Sequence, residues 1–158
     1  MMAILRLALN SYSIEIGVPG VTPFSGNEYP RKPISLGGIT RSINGTPILS
    51  GPAYETPHIW SFSALLDADN RALLDMMWAD WDADRSQKFI IDDNIQPFIE
   101  RSPRTRALAI GASPTFNGNL VVYHARFYAI PTVPFASSPK GRYTEVTATF
   151  EELEKLPA

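Results

Sequence analysis

Cysteine is absent from the 158 residues. That single absence removes disulfides, cysteine–zinc sites and thiol catalysis, and it fits folding in a reducing compartment. Charge is sparse: Asp, Glu, Lys and Arg make up 19 % of the chain, with a net charge of −2. A protein that grips nucleic acid irrespective of sequence needs a clear excess of Lys and Arg, so composition argues against that class. No apolar run approaches the roughly 18 residues of a membrane span. The phosphate-cradling patterns G-x-x-x-x-G-K-[ST] and G-x-G-x-x-G and the nucleophile elbow G-x-S-x-G do not occur. Histidine is nearly absent, and His58 and His124 alone do not define a zinc site.

Apolar residues, 44 % of the chain, are ordinary for a globular protein. The length suits a single domain over residues 1–158, able to bury roughly 70 % of its unfolded surface. Leu5, Leu7 and Leu9 alternate with Arg6 and Ala8, which reads as a half-buried strand rather than the apolar segment of a secretion signal. A second short strand is expected over Tyr12–Ile16, with Asn10-Ser11 as the turn. Prolines 19, 23, 30 and 33 then predict an extended docking loop over 17–33.

Asn44-Gly45 between Ile39–Ile43 and Thr46–Leu49 predicts a hairpin with a type I′ turn. Pro47 places its strand at an edge, and Gly51-Pro52 closes it. From about Thr56 to Leu66, His58, Trp60, Phe62 and Ala64 share one strand face, the one expected to be buried. One helix stands out, at about residues 68–84. Asp67 is its natural N-cap, and Leu73, Leu74, Met77, Trp78 and Trp81 form its apolar stripe.

Downstream, Lys88–Ile91 and Ile95–Ile99 flank Asp92-Asp93-Asn94 as a second tight hairpin. A brief strand follows at Ala107–Ile110, then a turn at Ser113–Asn119. Leu120–Ile130 reads as the longest strand, and Tyr143–Phe150 closes the fold after a second extended loop at 131–141. The expected fold class is mainly β: an antiparallel β-sandwich or split barrel with one α-helix packed on it.

Candidate chemistry is thin. Asp80-x-Asp82-x-Asp84 begins like a calcium loop, but Arg85 and Ile91 stand where glycine and a bidentate Glu are required; Asp67–Asn70 fails the same way. These acids, with Asp75, Asp92 and Asp93, read as helix cap and solvated surface. Arg101, Arg104 and Arg106 read as partners for acids within the chain or on a neighbouring subunit rather than as DNA contacts. Trp60, Trp78, Trp81, Tyr54 and Tyr128 carry the aromatic content of a sugar-stacking platform, but their periods fit a core better. No catalytic, cofactor-binding or metal-binding residue is expected, and no small-molecule substrate.

The order of these features resembles the tail-tube-like β-sandwich that tailed bacteriophages use in tail tubes, distal tail proteins and baseplate hub adaptors. The likeness rests on Arg41–Gly45, the His58–Phe62 strand, the helix from Asp67 to Trp81, Phe89–Asp92 and Tyr143–Leu153. It implies a non-enzymatic virion subunit, folded in the host cytoplasm and assembled as a homo-oligomeric ring with other tail or baseplate proteins. DNA would be passing cargo, and no membrane is involved. The alternative is a carbohydrate- or receptor-binding β-sandwich of a virion; a hydrolase using the Asp cluster is the third reading.

Overall fold

The computed structural model describes residues 4–25, 31–33, 38–50 and 57–153. In chain order the first half holds β1 (Leu5–Leu9), β2 (Tyr12–Ile16), β3 (Arg31–Pro33), β4 (Gly38–Arg41), β5 (Pro47–Ser50) and β6 (His58–Leu66). After helix α1 (Ala68–Ala83) come β7 (Phe89–Asp93), β8 (Phe98–Arg101), β9 (Thr115–Asn117) and β10 (Leu120–Tyr123). The chain then forms β11 (Arg126–Pro131), β12 (Ala136–Lys140) and β13 (Tyr143–Glu152).

Every strand pairing is antiparallel. A large sheet runs β2-β1-β7-β11-β13-β6-β3, with β12 beside the first half of β13; β8-β10-β9 form a small sheet and β4-β5 a separate hairpin. The path ends at β2 and β3, which do not pair, so the expected sandwich-like architecture holds and no barrel closes. The large sheet curls strongly. Arg31 on edge strand β3 reaches Asp93 on β7, several strands away in the order, at 3.1 Å.

The concave face collects the core. Leu5, Leu7, Trp60, Phe62, Phe89, Ile91, Phe127 and Phe150 are buried there, and Val121 and Tyr123 of the small sheet join the same cluster. The period-2 alternation predicted this for β6, whose Trp60, Phe62, Ala64 and Leu66 are all buried. Helix α1 lies against β2, β6 and β13. Asp67 caps it as expected, accepting from the Asn70 amide at 2.9 Å. Leu74, Met77 and Trp81 face the core, and Trp78 is half-buried against Phe135, with ring centroids 5.2 Å apart.

Several expectations need correction. The two extended loops are tied to the large sheet: the described part of the first keeps its turns over 17–22 but is anchored at 23–25 and 31–33, and the second is largely strand. In the first, Leu65 N donates to Pro23 O and Ser25 N to Ser63 O, and β3 pairs with β6. In the second, β12 pairs with β13 across the two-residue turn Gly141-Arg142, where Gly141 takes φ +66°. Proline misled in both places, because an edge strand leaves one side of its backbone unpaired and tolerates Pro33 or Pro139 there.

Asp92-Asp93-Asn94 is not a hairpin: β7 lies between β1 and β11 in the large sheet, while β8 belongs to the small one. The expected long strand at 120–130 divides, with β10 in the small sheet and β11 in the large. The inward side chains Val121, Tyr123, Ala125, Phe127 and Ala129 keep their alternation through the switch, which hides it from any period count. Ala107–Ile110 contributes a single bridge, Leu108 to Ala125, rather than a strand. The Ser113–Asn119 turn is the β9–β10 hairpin, with Gly118-Asn119 at its tip and Gly118 at φ +62°.

The β4–β5 hairpin forms, but its loop is Ile43-Asn44-Gly45, closed by Ser42 N donating to Thr46 O at 2.9 Å. Gly45 N donates to Ser42 O, and only Gly45 of the Asn-Gly pair has positive φ, +82°. This is the three-residue loop with a glycine bulge in place of type I′. Gly51-Pro52 and Tyr54 lie outside the described residues.

Candidate functional site

The densest polar constellation lies where the large sheet meets the small one, and three of its charged members sit on the inward face. Asp93 follows Phe89 and Ile91 at the same strand parity and points into the core, fully buried. Its Oδ2 accepts from Arg31 Nη1 at 3.1 Å and Trp60 Nε1 at 3.4 Å. Its Oδ1 accepts from the Ile95 and Gln96 amides at 3.0 and 3.1 Å. Arg31 also donates to Pro97 O at 3.0 Å. Burial pushes the Arg31 guanidinium below its ordinary value, with the Asp93 charge opposing.

Glu152, at the end of β13, is the second buried acid. It accepts from Arg106 through two bonds, Nε to Oε2 and Nη2 to Oε1, both 3.2 Å, and from His58 Nδ1 at 3.1 Å. Burial drives the Glu152 carboxyl upward, but the bonds from His58 and Arg106 outweigh it and hold the group below its usual range. The Arg106 guanidinium lies 4.6 Å from the Phe98 ring centroid, and Arg31 lies 5.7 Å from the same ring. Both also contact Phe127. The two cations therefore share an aromatic wall and each has its own acid.

Tyr123 completes the group. Its hydroxyl accepts from the Arg106 amide and donates to Glu100 Oε1, both at 3.2 Å. Burial raises its pKa to about 12, so it stays a neutral donor at physiological pH. On the opposite face of β7, Asp92 sits in register between Arg6 of β1 and Arg126 of β11. It accepts from Arg126 Nε at 2.7 Å and Arg6 Nη1 at 3.2 Å, tying three strands in one row.

Asp92 and Asp93 are thus not solvated surface, and this corrects the sequence expectation. Arg106 does pair within the chain, as expected. Arg104 donates to Arg106 O at 2.8 Å, while Arg101 is exposed. The helix acids are surface groups: Asp75 pairs with Arg71, Asp82 with Arg85, and Asp84 accepts from the Ser86 hydroxyl and amide, which hold its carboxyl below the ordinary value. Neither Asp run closes a metal loop, and among the described residues no group of three His, Asp or Glu is placed to hold a metal ion. His58 joins the Glu152 pair; His124 stands apart, with a buried Nδ1 that has no hydrogen-bond partner among the described residues. Trp60 and Trp81 are buried and Lys88 covers the Tyr128 ring, so no stacking platform forms from these residues.

Arg31 and Glu152 were missed in the sequence although a signal existed for one of them. Glu152 shares the parity of Val146, Ala148 and Phe150, which predicts an inward side chain. Arg31 carries no such mark, being enclosed by prolines.

Chemically, this constellation is a set of buried ion pairs and hydrogen bonds. Both Asp93 oxygens and both Glu152 oxygens accept at least one hydrogen bond. Elsewhere, Gly20, Val21, Asp67, Arg142 and Tyr143 line a shallow hollow of about 310 Å³, open to solvent. No described helix is long and apolar enough to cross a membrane. Among the described residues, β8 and β9 each pair on one side only, and β4 and β5 pair only with each other. Comparison with protein-family models, with curated proteins and with solved structures gave no match.

Proposed function

We propose that this chain is a non-enzymatic structural subunit of a phage tail or baseplate. In this reading it assembles with copies of itself and with other virion proteins into a ring around the DNA channel. The observation that carries the proposal is the β4–β5 hairpin. Among the described residues it pairs with no other strand, and Ile43 at its tip is fully exposed. A two-stranded hairpin is marginally stable alone in water, so one retained outside the main sheets is best explained by a surface that receives it. The small sheet's free edges argue the same way, because an unpaired edge invites pairing with another chain. The tail-tube-like order of strand, capped helix and strands supplies the kind of assembly.

The buried charges fit this reading. Arg31–Asp93 ties edge strand β3 to β7 within the large sheet, and Arg106–Glu152 ties the link between β8 and β9 to the end of β13. A ring subunit needs rigid edges, and an ionic junction at the sheet boundary supplies them. The carbohydrate-binding alternative loses its motivating feature, since Trp60 and Trp81 are core and Trp78 is packed on Phe135.

Negative-stain imaging and native mass spectrometry of the purified chain, alone and mixed with proteins of the same virion, test the proposal. Closed rings or a stable complex with a tail protein are expected. A strictly monomeric chain that captures no virion partner overturns it.

A further inference from the structure

We infer that the outward face of the small sheet docks the outer surface of helix α1 of a second copy, an inference that rests on the assembly reading above. Register places Ile99 and Arg101 of β8 beside Leu120 and Val122 of β10, on the face opposite buried Val121 and Tyr123. On this face Ile99 is 59 % exposed and Leu120 38 %, whereas Phe116 of β9 pairs with Val121 and belongs to the other face. Ile99 and Leu120 thus stand exposed on adjacent strands of one face, with Val122 half-buried beside Ile99. Such a concentration marks a contact surface, whereas scattered apolar residues need no explanation.

Charge selects the occupant. On the small module Arg106 is committed to Glu152, and Arg101 has no partner among the described residues, so its charge stands free at the rim. The helix region is opposite in sign: six aspartates, 67, 69, 75, 80, 82 and 84, face two arginines, 71 and 85. Those arginines pair with Asp75 and Asp82, while the Asp69 and Asp80 carboxylates have no partner among the described residues. Met76, 46 % exposed, supplies an apolar contact on the same helix. Lys140 and Arg142, on the β12–β13 turn near Asp67, sit at this end too, but off the helix.

The two surfaces cannot meet within one chain. His58 and Glu152 mark the small-sheet end of the β6–β13 pair, and Leu66 opposite Thr144 marks the helix end. A nine-residue strand separates them by about 27–30 Å. Two complementary surfaces at opposite ends make a head-to-tail contact, which closes into a ring when the rotation per subunit permits.

Sedimentation equilibrium of the full chain over a range of salt tests this. Wild-type protein is expected to self-associate, less strongly as salt rises. Arg101→Glu and Asp80→Lys should each weaken association about tenfold, and the double variant carrying both should recover most of it. Ile99→Ser with Leu120→Ser should weaken it without reversing any charge. Circular dichroism melts matching wild type confirm that each variant is folded. Singles that associate like wild type, or a double that recovers nothing, overturn this contact and leave the assembly reading standing. A wild-type chain that neither self-associates nor binds a virion partner overturns both.

Discussion

Arg106→Met is the most informative single change, because it removes one half of a buried pair and leaves the other. The Glu152 side chain is 4 % exposed and Arg106 6 %, and two bonds of 3.2 Å join them. Methionine keeps the stem that packs beside Phe98 but strands the carboxylate with His58 as its one side-chain donor. Breaking a buried ion pair from one side costs about 3–5 kcal/mol, which for a chain of this length lowers the melting temperature by roughly 6–20 °C. The sign of the pH dependence follows from Glu152. In wild type its pKa is held below the ordinary value of 4.5. The pair's contribution is therefore present above that value and lost as pH falls through the folded-state pKa. In the variant burial dominates and the pKa rises, so stability is lost as pH rises through the new value. The difference between the two proteins should be widest at neutral pH and narrow as pH falls through the lowered pKa of wild-type Glu152, below which the group is protonated in both. Urea unfolding at several pH values measures it. A gap under about 1 kcal/mol at pH 7, or one independent of pH, refutes the reasoning. Replacing both partners, Arg106→Met with Glu152→Leu, should recover most of the loss in the same assay.

Leu74→Ala should destabilise by about 2–5 kcal/mol in urea unfolding, since the helix's grip on the sheet passes through that buried side chain. Asp67→Ala should cost about 1 kcal/mol by removing the acceptor for the Asn70 amide, and Asp67→Asn much less. Gly141→Ala should cost about 1–2 kcal/mol, because the two-residue turn needs φ +66° there; no atom blocks a Cβ, so the loss is conformational alone. Ile43→Asp should leave unfolding within about 0.5 kcal/mol while lowering ring yield in negative stain, and unchanged yield would remove the hairpin from the assembly argument.

How far the sequence was readable depends on whether a residue's role is local. Asp67 and the Leu74–Met77–Trp81 stripe were legible because a cap and a 3.6-residue period are written within a few positions. So was the inward face of β6, by its alternation. Sheet membership was not legible. Asp92-Asp93-Asn94 looks like a turn by composition, and only the pairing of β7 with β1 and β11 makes Asp92 the centre of a row between Arg6 and Arg126. The same limit explains the 120–130 segment: alternation reports which side is buried, not which sheet receives the hydrogen bonds.

The ionic junction shows why its members could be seen singly yet not as a unit. Asp93 lies at the end of a buried strand, Glu152 at the parity of Phe150, and Arg106 in a link whose arginines were expected to meet acids, of which Arg106 does. What joins them is the curl of the large sheet, which carries β3 across to β7 and sets Arg31 and Arg106 against the same Phe98 and Phe127 rings. Curl arises from the summed twist of many strands, so no local pattern encodes it. The consequence for function is physical. A curled sheet locked by buried charge keeps its small-sheet end and its helix end at fixed orientation to each other. That orientation sets the rotation from one copy to the next in any head-to-tail assembly. Loosening the lock with Arg106→Met should therefore blur ring size before it abolishes contact between copies, while Arg101→Glu should reduce contact and leave the surviving rings uniform. Measured ring diameters in negative stain separate the two, and equal scatter from both variants would detach the junction from assembly.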